Sequence, residues 1–469
     1  MRVGIIFEGT FPYVTGGVSS WANTMMRSMP DIEFTVIHIS AKPEKRIPKY
    51  KFSSNIKDYF EFSLFAKYKS KKKPLPCSIT KEIAETIVYP FDEKYMSVKL
   101  YEILKKAYNY DFTVIPESDA YWDFLESIYK KFIPYEDFNY FFWNVRSMLL
   151  PFMNALTVDL PVCDLYHSVT TGYAGLTALM SCLKYNKPFI ITEHGIYHRE
   201  RQLELLRAKW VKDEYRTGWI RLFNTISALT YYGSSAVTTL FLKNQIIEKE
   251  LCDDHKKLSI IPNGINYELF SSLGKSKEQK TFNLGLVGRV VEIKDIKTAI
   301  KAFKLINEYR KDIYFFIIGP TDEEPEYFRE CQNLVQMLDL NDYLSFTGSV
   351  DVKQWYPKID LAVLSSVSEG QPLALLEAMA CGIPVVATDV GSCSEIIFGT
   401  SGDDDVHGAC GEVVNSKDFV GLSKAILKFA NDPELYKNAS QIAKMRVEKR
   451  YELKNMLYSY RKIYESVVL

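Results

Sequence analysis

The sequence has no run of about eighteen apolar residues, the length that a membrane-spanning helix needs. It also has no excess of charge, because 58 lysines and arginines balance 58 aspartates and glutamates. Neither a nucleic-acid partner nor an acidic tail is therefore indicated. Residues 1–7 enter a strand pattern at once and are too short for a signal peptide. We expect a soluble, cytoplasmic protein.

Several common site motifs are missing too. The eight cysteines form no C-x-x-C pair and no zinc-binding spacing, which is typical of reduced cytosolic thiols. No G-x-G-x-x-G follows the first strand, which argues against a nicotinamide-dependent dehydrogenase. No D-x-D pair stands at a strand end where a metal could bridge a diphosphate. The acidic run at residues 403–405 lies in a glycine-flanked loop and is expected to be solvated. We expect no metal and no cofactor.

Strand and helix patterns alternate in two series along the 469 residues, a length that suits two or three domains. This alternation predicts an α/β fold with two Rossmann-like domains that face one another across a cleft. We place the first domain at residues 1–270, with a helical insertion at about 41–150, and the second at 271–450. A polar linker is expected at 271–280, and a last helix, at 451–469, is expected to pack back on the first domain.

Residues 368–384 have the start and stop signals of a short buried helix. Gly370 precedes it, Pro372 suits its first turn, Gly382 suits the left-handed position after it, and nearly every residue between is apolar. Glu377 is the exception, and a carboxylate on a buried helix is costly unless a partner satisfies it. Glu369 lies just before the helix, where backbone N–H groups carry positive partial charge and an anion or sugar hydroxyls would fit.

The alternative is that Glu377 pairs with a core arginine and that Glu369 is an exposed loop acid. A strand and a turn follow the helix, however, and place both acids at the carboxyl edge of a sheet, where open α/β proteins bind ligands. We therefore favour a binding site.

Two cations follow the first strand of the second series. Arg289 offers a planar fork and Lys294 a point charge, a pair that suits a diphosphate without metal. The alternative is two ordinary surface cations. In the first series Gly16 and Gly17 precede a helix and would let the backbone approach a phosphate closely.

These motifs resemble those of the retaining GT-B glycosyltransferases of family GT4. The resemblance rests on S-E-G-x-P-x-x-x-L-E-A-M-A-C-G-x-P-V-V-A from Ser368, with Arg289 and Lys294. The segments E-G-T-F-P-Y-V-x-G-G-V-S-S-W at 8–21, E-H-G-I-Y at 193–197 and G-R-V-V-x-I-K-D at 288–295 are similar to the cytosolic members that build a biofilm exopolysaccharide.

The resemblance implies roles for individual residues. Arg289 and Lys294 would hold the donor diphosphate and stabilise the leaving nucleotide, Glu377 would bind ribose, and Glu369 would bind the donor sugar. His194 would contact the sugar near the bond that breaks. Glu369, Arg289, Lys294 and His194 are therefore the expected catalytic residues, and the donor site adds Gly16, Gly17, Ser368, Gly370, Leu373 and Glu377. One departure is Ser392, where many members have a second glycine after Gly391.

The expected reaction is metal-independent transfer of a hexose, with retention, from a UDP-sugar to a growing exopolysaccharide. UDP-glucose is favoured as donor, and the expected partners are the donor, a polysaccharide acceptor and an exopolysaccharide synthesis complex at the inner membrane. The alternatives are a UDP-N-acetylhexosamine donor, a UDP-sugar 2-epimerase of the same fold, and a nucleotide-sugar sensor without turnover. The lysine-rich run at 69–73 is interpreted as a solvated face, with a docking surface as the alternative.

Overall fold

The computed structural model describes residues 1–41, 46–66, 71–88, 93–132, 134–273, 281–400 and 407–468. Residues 69–70 of the lysine run, 274–280 of the expected linker and the acidic run at 403–405 lie outside these ranges. The chain forms two compact units, one of Met1–Ile261 with Ser459–Leu469 and one of Pro262–Tyr458. The sequence placed the boundary nine residues later than Ile261, at residue 270.

The first unit is built on a parallel sheet of seven strands, in the order β3-β2-β1-β6-β7-β8-β9, and a separate two-stranded ladder, β4-β5. The strands are β1 (Arg2–Glu8), β2 (Glu33–Ser40), β3 (Ile56–Ser63), β4 (Lys73–Pro74), β5 (Tyr110–Asp111), β6 (Leu165–Ser168), β7 (Phe189–Glu193), β8 (Ala236–Thr239) and β9 (Leu258–Ile260). The central strands are almost wholly apolar and buried, as parallel strands covered on both faces must be.

In the described ranges of this unit, nine helices connect those strands. They are α1 (Gly17–Arg27), α2 (Cys77–Val88), α3 (Glu93–Ala107), α4 (Asp119–Phe132), α5 (Phe138–Thr157), α6 (Tyr173–Tyr185), α7 (Tyr197–Arg207), α8 (Asp213–Gly233) and α9 (Leu242–Leu251). Helices α2 to α4 and most of α5 lie within the range expected for the insertion, and the apolar faces of all four helices join the same core as the sheet.

The expected insertion at 41–150 was too wide, because it includes strand β3. This strand pairs in parallel with β2 at the edge of the seven-stranded sheet. Its sequence, IKDYFEFS, carries three charges, and most of its side chains are half-buried or exposed. Charged residues on an edge strand discourage pairing with another chain, but they also weaken the apolar pattern by which a strand is recognised.

The second unit contains a parallel sheet of six strands, in the order β12-β11-β10-β13-β14-β15. The strands are β10 (Phe282–Val287), β11 (Ile313–Ile318), β12 (Leu344–Gly348), β13 (Leu361–Leu364), β14 (Val385–Thr388) and β15 (Gly411–Val414). The helices are α10 (Tyr267–Ser271), α11 (Ile296–Tyr309), α12 (Pro325–Met337), α13 (Leu373–Ala380), α14 (Cys393–Phe398), α15 (Phe419–Asn431), α16 (Pro433–Arg450) and α17 (Leu453–Val468).

Helix α17 belongs to the second unit up to Tyr458 and to the first from Ser459 onward. In the first unit the hydroxyl of Tyr464 lies 2.7 Å from Nδ1 of the buried His167 on β6. Arg461 forms two hydrogen bonds with Asp31, at 2.6 and 2.8 Å. These contacts fasten the end of the chain to the first sheet.

Both sheets have the Rossmann strand order, and the predicted α/β class with two Rossmann-like sheets is confirmed. The order reverses between β1 and β6 in the first sheet and between β10 and β13 in the second. A crevice opens at the carboxyl ends of the strands at such a point, and ligands bind there in open α/β proteins. The loops after these four strands are therefore the candidate ligand-binding segments of the two sheets.

Candidate active site

In the second unit, the loops that follow β10 and β13 are bonded to each other. The backbone N–H of Val367 donates to the carbonyl of Ile293 at 2.9 Å, and the hydroxyl of Ser365 donates to the carbonyl of Lys294 at 2.9 Å. The loop after β10 carries Arg289 and Lys294, and the loop after β13 leads to Glu369. Two predicted groups of site residues thus meet at the switch point of the sheet.

Lys294 and Glu369 form an ion pair across these two loops. Their side chains keep only 18% and 14% of their exposure, so this pair is largely shielded from water. The hydroxyl of Ser366 also donates to the Glu369 carboxylate, at 2.6 Å. The ammonium and the carboxylate are held next to one another, where both can meet one ligand.

Arg289 is directed elsewhere in the structure. Its guanidinium pairs with Glu323 in the loop after β11, and both side chains are exposed by more than a third. Exposed pairs of this kind contribute little to stability, about 0–1 kcal/mol. The guanidinium can therefore be drawn toward a stronger anion at small cost.

Helix α13 has the predicted character, with Gly382 at a φ of 78° after its end. Leu375, Leu376, Ala378 and Met379 are buried, while Leu373 lies half-buried in its first turn. Pro372 is the residue before the helix rather than its first residue. No side chain caps this end of the helix, so its first N–H groups are available to an anion.

Glu377 is held by a tyrosine, not by the core arginine of the alternative interpretation. The hydroxyl of the fully buried Tyr356 donates to Oε2 of Glu377 at 2.6 Å. Burial raises the pKa of Glu377 above its usual value, while the Tyr356 hydroxyl and the charge of Lys353 lower it. Tyr356 thus holds one carboxylate oxygen of Glu377, and this hydrogen bond also sets the orientation of the other oxygen.

Ser392, the departure from the family pattern, fastens the loop that carries Glu369. Its backbone N–H and its hydroxyl both donate to the carbonyl of Gly370, at 3.0 and 3.1 Å, and the side chain is buried. The preceding Gly391 has a φ of 53°, and a Cβ there would lie 2.2 Å from the carbonyl oxygen of Glu369. Glycine is required at 391, whereas at 392 the hydroxyl adds a bond. Ser368, at the tip of this loop, is exposed.

In the first unit, Gly16 and Gly17 begin helix α1 beside open space. A Cβ at either position would meet no atom of the described residues within 4 Å. Gly16 precedes the helix without a side-chain cap, so N–H groups of the first turn have room for a ligand. The loop before it is anchored by the buried His38, whose Nδ1 lies 2.9 Å from the carbonyl oxygen of Phe11.

His194 follows β7 and lies against the same helix. Its ring packs edge-on to Trp21 of α1, with centroids 4.6 Å apart, so the predicted histidine and the glycine-led helix are brought together. Burial lowers the pKa of His194 to about 4, so the ring is neutral at pH 7. Its Nε2 has no hydrogen-bond partner among the described residues. That nitrogen is buried, so its hydrogen-bonding capacity is unused in this structure.

Sequence reasoning missed three residues that hold the predicted ones: Tyr356, Ser366 and the role of Ser392. Ser366 could have been found, because it follows a strand at the carboxyl edge, as Glu369 does. Tyr356 stands 21 residues before Glu377, and no local pattern connects the two.

The described residues contain neither a cluster of metal ligands nor a membrane-spanning helix. Within the described ranges, no three side chains of His, Cys, Asp and Glu are grouped as a metal ion would require. In the same part of the chain, no helix combines the length and the apolar character needed to cross a bilayer.

Comparison with known proteins follows the division into two units. Residues 1–255 match the family model "Domain of unknown function (DUF3492)", and residues 269–446 match "Glycosyl transferases group 1". D-inositol 3-phosphate glycosyltransferase of Pseudarthrobacter chlorophenolicus is 28% identical over 205 residues, which are 42% of this chain and 47% of that protein. The match thus spans about half the length of this curated relative.

Two solved structures show the fold over nearly the whole chain. Sucrose-phosphate synthase from Thermosynechococcus elongatus has a TM-score of 0.61 at 16% identity, covering 99% of this chain and 98% of that one. Anabaena HepE in complex with UDP and glucose has a TM-score of 0.60 at 15% identity, covering 99% and 100%. The predicted GT-B fold is confirmed.

Proposed function

Since the chain belongs to the family described as "Domain of unknown function (DUF3492)" and is a group 1 glycosyltransferase of the GT-B fold, we propose that it transfers a hexose from a UDP-sugar with retention. The observation that carries the proposal is the Lys294–Glu369 pair at the switch point of the second sheet. UDP-glucose is the favoured donor. HepE, which has the same fold, was solved with UDP and glucose.

The leaving group is a nucleoside diphosphate, and positive charge must stabilise it as the sugar becomes oxocarbenium-like. Lys294 and Arg289 supply two charges on one loop, and the uncapped start of α13 adds partial positive charge. A metal ion is not needed in this arrangement. The leaving phosphate oxygen takes the proton of the acceptor hydroxyl.

The two glutamates divide the donor between them. Glu377, with one oxygen fixed by Tyr356, accepts hydrogen bonds from the ribose hydroxyls. Glu369 accepts from hydroxyls of the donor sugar while Lys294 next to it binds phosphate. Ser368, Gly370 and Leu373 complete the donor site. In the first unit, the resemblance assigns Gly16 and Gly17 to the phosphate and the acceptor, and His194 to the sugar.

The acceptor is proposed to be a growing exopolysaccharide of the biofilm matrix. The segments at 8–21, 193–197 and 288–295 resemble PelF, the cytosolic glycosyltransferase of Pel exopolysaccharide synthesis. On this basis the enzyme acts in the cytoplasm, recruited to an inner-membrane synthesis complex. The alternative to UDP-glucose as the donor is a UDP-N-acetylhexosamine.

A panel of nucleotide sugars tests the proposal, with thermal shift as the measure of binding and release of UDP as the measure of turnover. We expect UDP and UDP-glucose to raise Tm and UDP-glucose to be hydrolysed slowly without acceptor. Interconversion of the donor sugar without UDP release would identify a 2-epimerase. Binding without any turnover, with acceptor polysaccharide present, would identify a sensor.

A matched pair of variants shows whether the effect belongs to this site. Lys294→Met should abolish the thermal shift with UDP. Lys297→Met removes a lysine of the next turn, which pairs with Glu330 at 2.5 Å, and should retain the shift. Equal loss in both variants would contradict the assignment of the donor site.

A further inference from the structure

Two glutamates of the first unit are wholly buried beside the turn that carries His194. Glu193 is the last residue of β7, and Glu248 lies on α9; both are 0% exposed. Neither belongs to the donor site described above. Buried acids without a nearby cation are rare, because the charged form loses its hydration.

Hydrogen-bond donors surround Glu193. The Thr171 hydroxyl donates to its Oε1 at 2.8 Å, the Tyr231 hydroxyl donates to Oε2, and the backbone N–H of Tyr197 donates to Oε1 at 3.3 Å. Three donors stabilise a negative charge on this carboxylate. Tyr197 is the first residue of α7, so the carboxylate ties the end of β7 to the start of α7.

His194 lies inside the turn that this carboxylate closes. The turn runs from Glu193 to Tyr197, and the imidazole of His194 rests on Trp21 of α1. A movement of the Glu193 carboxylate would therefore move the imidazole.

Glu248 has the opposite environment. Neither of its carboxyl oxygens has a hydrogen-bond partner among the described residues. An ionised carboxylate cannot be kept there without a large desolvation cost, whereas the neutral acid can. Glu248 is therefore the member of the pair that holds a proton.

The pKa values of the two glutamates also assign the proton to Glu248 and the charge to Glu193. Burial raises the pKa of Glu193 to about 7, and burial together with the charge of Glu193 raises that of Glu248 to about 8. The nearby hydroxyl of Thr239 lowers the pKa of Glu248, although it forms no hydrogen bond with the Glu248 carboxyl group. Among the described residues, the titratable groups that act on the pair include Glu200 on α7, Tyr231 on α8 and Cys252 after α9, and none of these three supplies a positive charge.

We propose that Glu193 and Glu248 form a positioning pair, in which Glu248 carries a proton, Glu193 carries the charge, and the pair fixes the turn that presents His194. When Glu248 ionises, two buried negative charges repel one another and the turn loosens. The pair contacts no substrate, and the inference does not depend on the proposed transferase reaction.

Histidine NMR tests this without a substrate. The chain has six histidines, and a His194→Gln variant identifies the ¹³Cε1 signal of His194. We expect this signal to shift between pH 7 and 9, although the pKa of His194 itself lies near 4. In Glu248→Gln, which mimics the protonated acid, the signal should keep its pH 7 position up to pH 9. A control, Glu250→Gln, removes an exposed acid of the same helix and should titrate like the wild type.

Unfolding gives a second measure. Because the folded-state pKa values lie above the usual 4.5, the folded state binds more protons between pH 4.5 and 8, so stability falls across this range and levels off above it. Each such group changes the unfolding constant by up to about tenfold per pH unit. Glu248→Gln should remove one group's slope and raise Tm above that of the wild type at pH 9. The proposal would be overturned if the His194 signal of the wild type did not change between pH 7 and 9. It would also be overturned if the signal of Glu248→Gln changed over this range as it does in the wild type.

Discussion

Lys294 and Glu369 are ion-paired although 75 residues separate them in the chain. One follows β10 and the other follows β13, the two strands between which the order of the second sheet reverses. Without a ligand, the carboxylate neutralises the ammonium, and Ser366 fixes the carboxylate. In the proposed donor site, a diphosphate that binds Lys294 would compete with Glu369, and this competition would release Glu369 to accept hydroxyls of the donor sugar.

Glu369→Gln should lower kcat by about 10²-fold, because the carboxylate acts where charge develops in the transition state. UDP affinity should stay near the wild-type value or increase, because the Lys294 ammonium loses its competitor. Calorimetry with UDP and steady-state kinetics measure the two effects. Loss of UDP binding as large as in Glu377→Gln would contradict this division of labour.

Glu377→Gln should fail differently. It removes a bond made equally in the ground and transition states, so KM should rise and UDP affinity should fall roughly tenfold to hundredfold, while kcat changes little. Tyr356→Phe leaves the carboxylate in place but removes its donor, and should cost about 1–2 kcal/mol of stability. A Tyr356→Phe variant with wild-type UDP affinity and wild-type Tm would show that the tyrosine does not orient Glu377.

Ser392→Ala should loosen the loop that carries Glu369. It removes a buried hydroxyl bonded to the carbonyl of Gly370 and should cost about 1 kcal/mol of stability, with a fall in kcat and little change in UDP affinity. Ser394→Ala is the control, since its hydroxyl bonds to Asp389 in a more exposed position. Equal kinetic losses in the two variants would mean that the Ser392 bond has no special role.

The sequence predicted features that are local. Helix α13 was recognisable because its Gly and Pro punctuation and its apolar run lie within seventeen residues, from 368 to 384. The carboxyl-edge rule then placed Lys294 and Glu369 near one another without any knowledge of side-chain geometry. These predictions succeed because the alternation of strands and helices and the positions of the strand ends can be recognised from local sequence patterns.

Other features depend on contacts between distant parts of the chain. Tyr356 and Glu377 meet because a turn before β13 lies under α13, and no periodic pattern records this. Strand β3 was overlooked because its charges suit an edge position. Lys72, assigned to a solvated face, instead has a side chain only 10% exposed and paired with Asp159 at 3.0 Å. The flexible aliphatic stem of a lysine can be buried or exposed, so the residues next to it in the sequence do not determine whether its side chain is solvated.

UDP should stabilise the protein equally with and without EDTA. At a hundredfold excess over Kd, binding to the folded state contributes about 2.7 kcal/mol. In the proposed donor site, Arg289 and Lys294 would supply the charge that a metal would otherwise provide. The measurement is Tm with UDP after dialysis against EDTA, with added Mg²⁺ or Mn²⁺ as comparison. A shift seen only with added metal would contradict metal-independent binding.

The insertion should serve assembly more than chemistry. It carries Trp122 and Trp143, which are 44% and 62% exposed, and the exposed Lys71 and Lys73 stand at its start. Exposed tryptophans and cations are frequent in interfaces. Lys72 must be left unchanged, because it pairs with Asp159 and donates to the carbonyl of Tyr108 at 3.2 Å.

The double reversal Lys71→Glu/Lys73→Glu should therefore preserve Tm and donor hydrolysis but weaken recovery of the enzyme with membranes that contain its synthesis partners. Lys301→Glu/Lys437→Glu changes the net charge equally on exposed residues of the second unit and serves as the control. A loss specific to the first variant would assign these lysines to the docking surface. Because surface charge acts through a screened potential, that loss should grow as salt is lowered. Equal recovery of both variants would return the lysines to a solvated face.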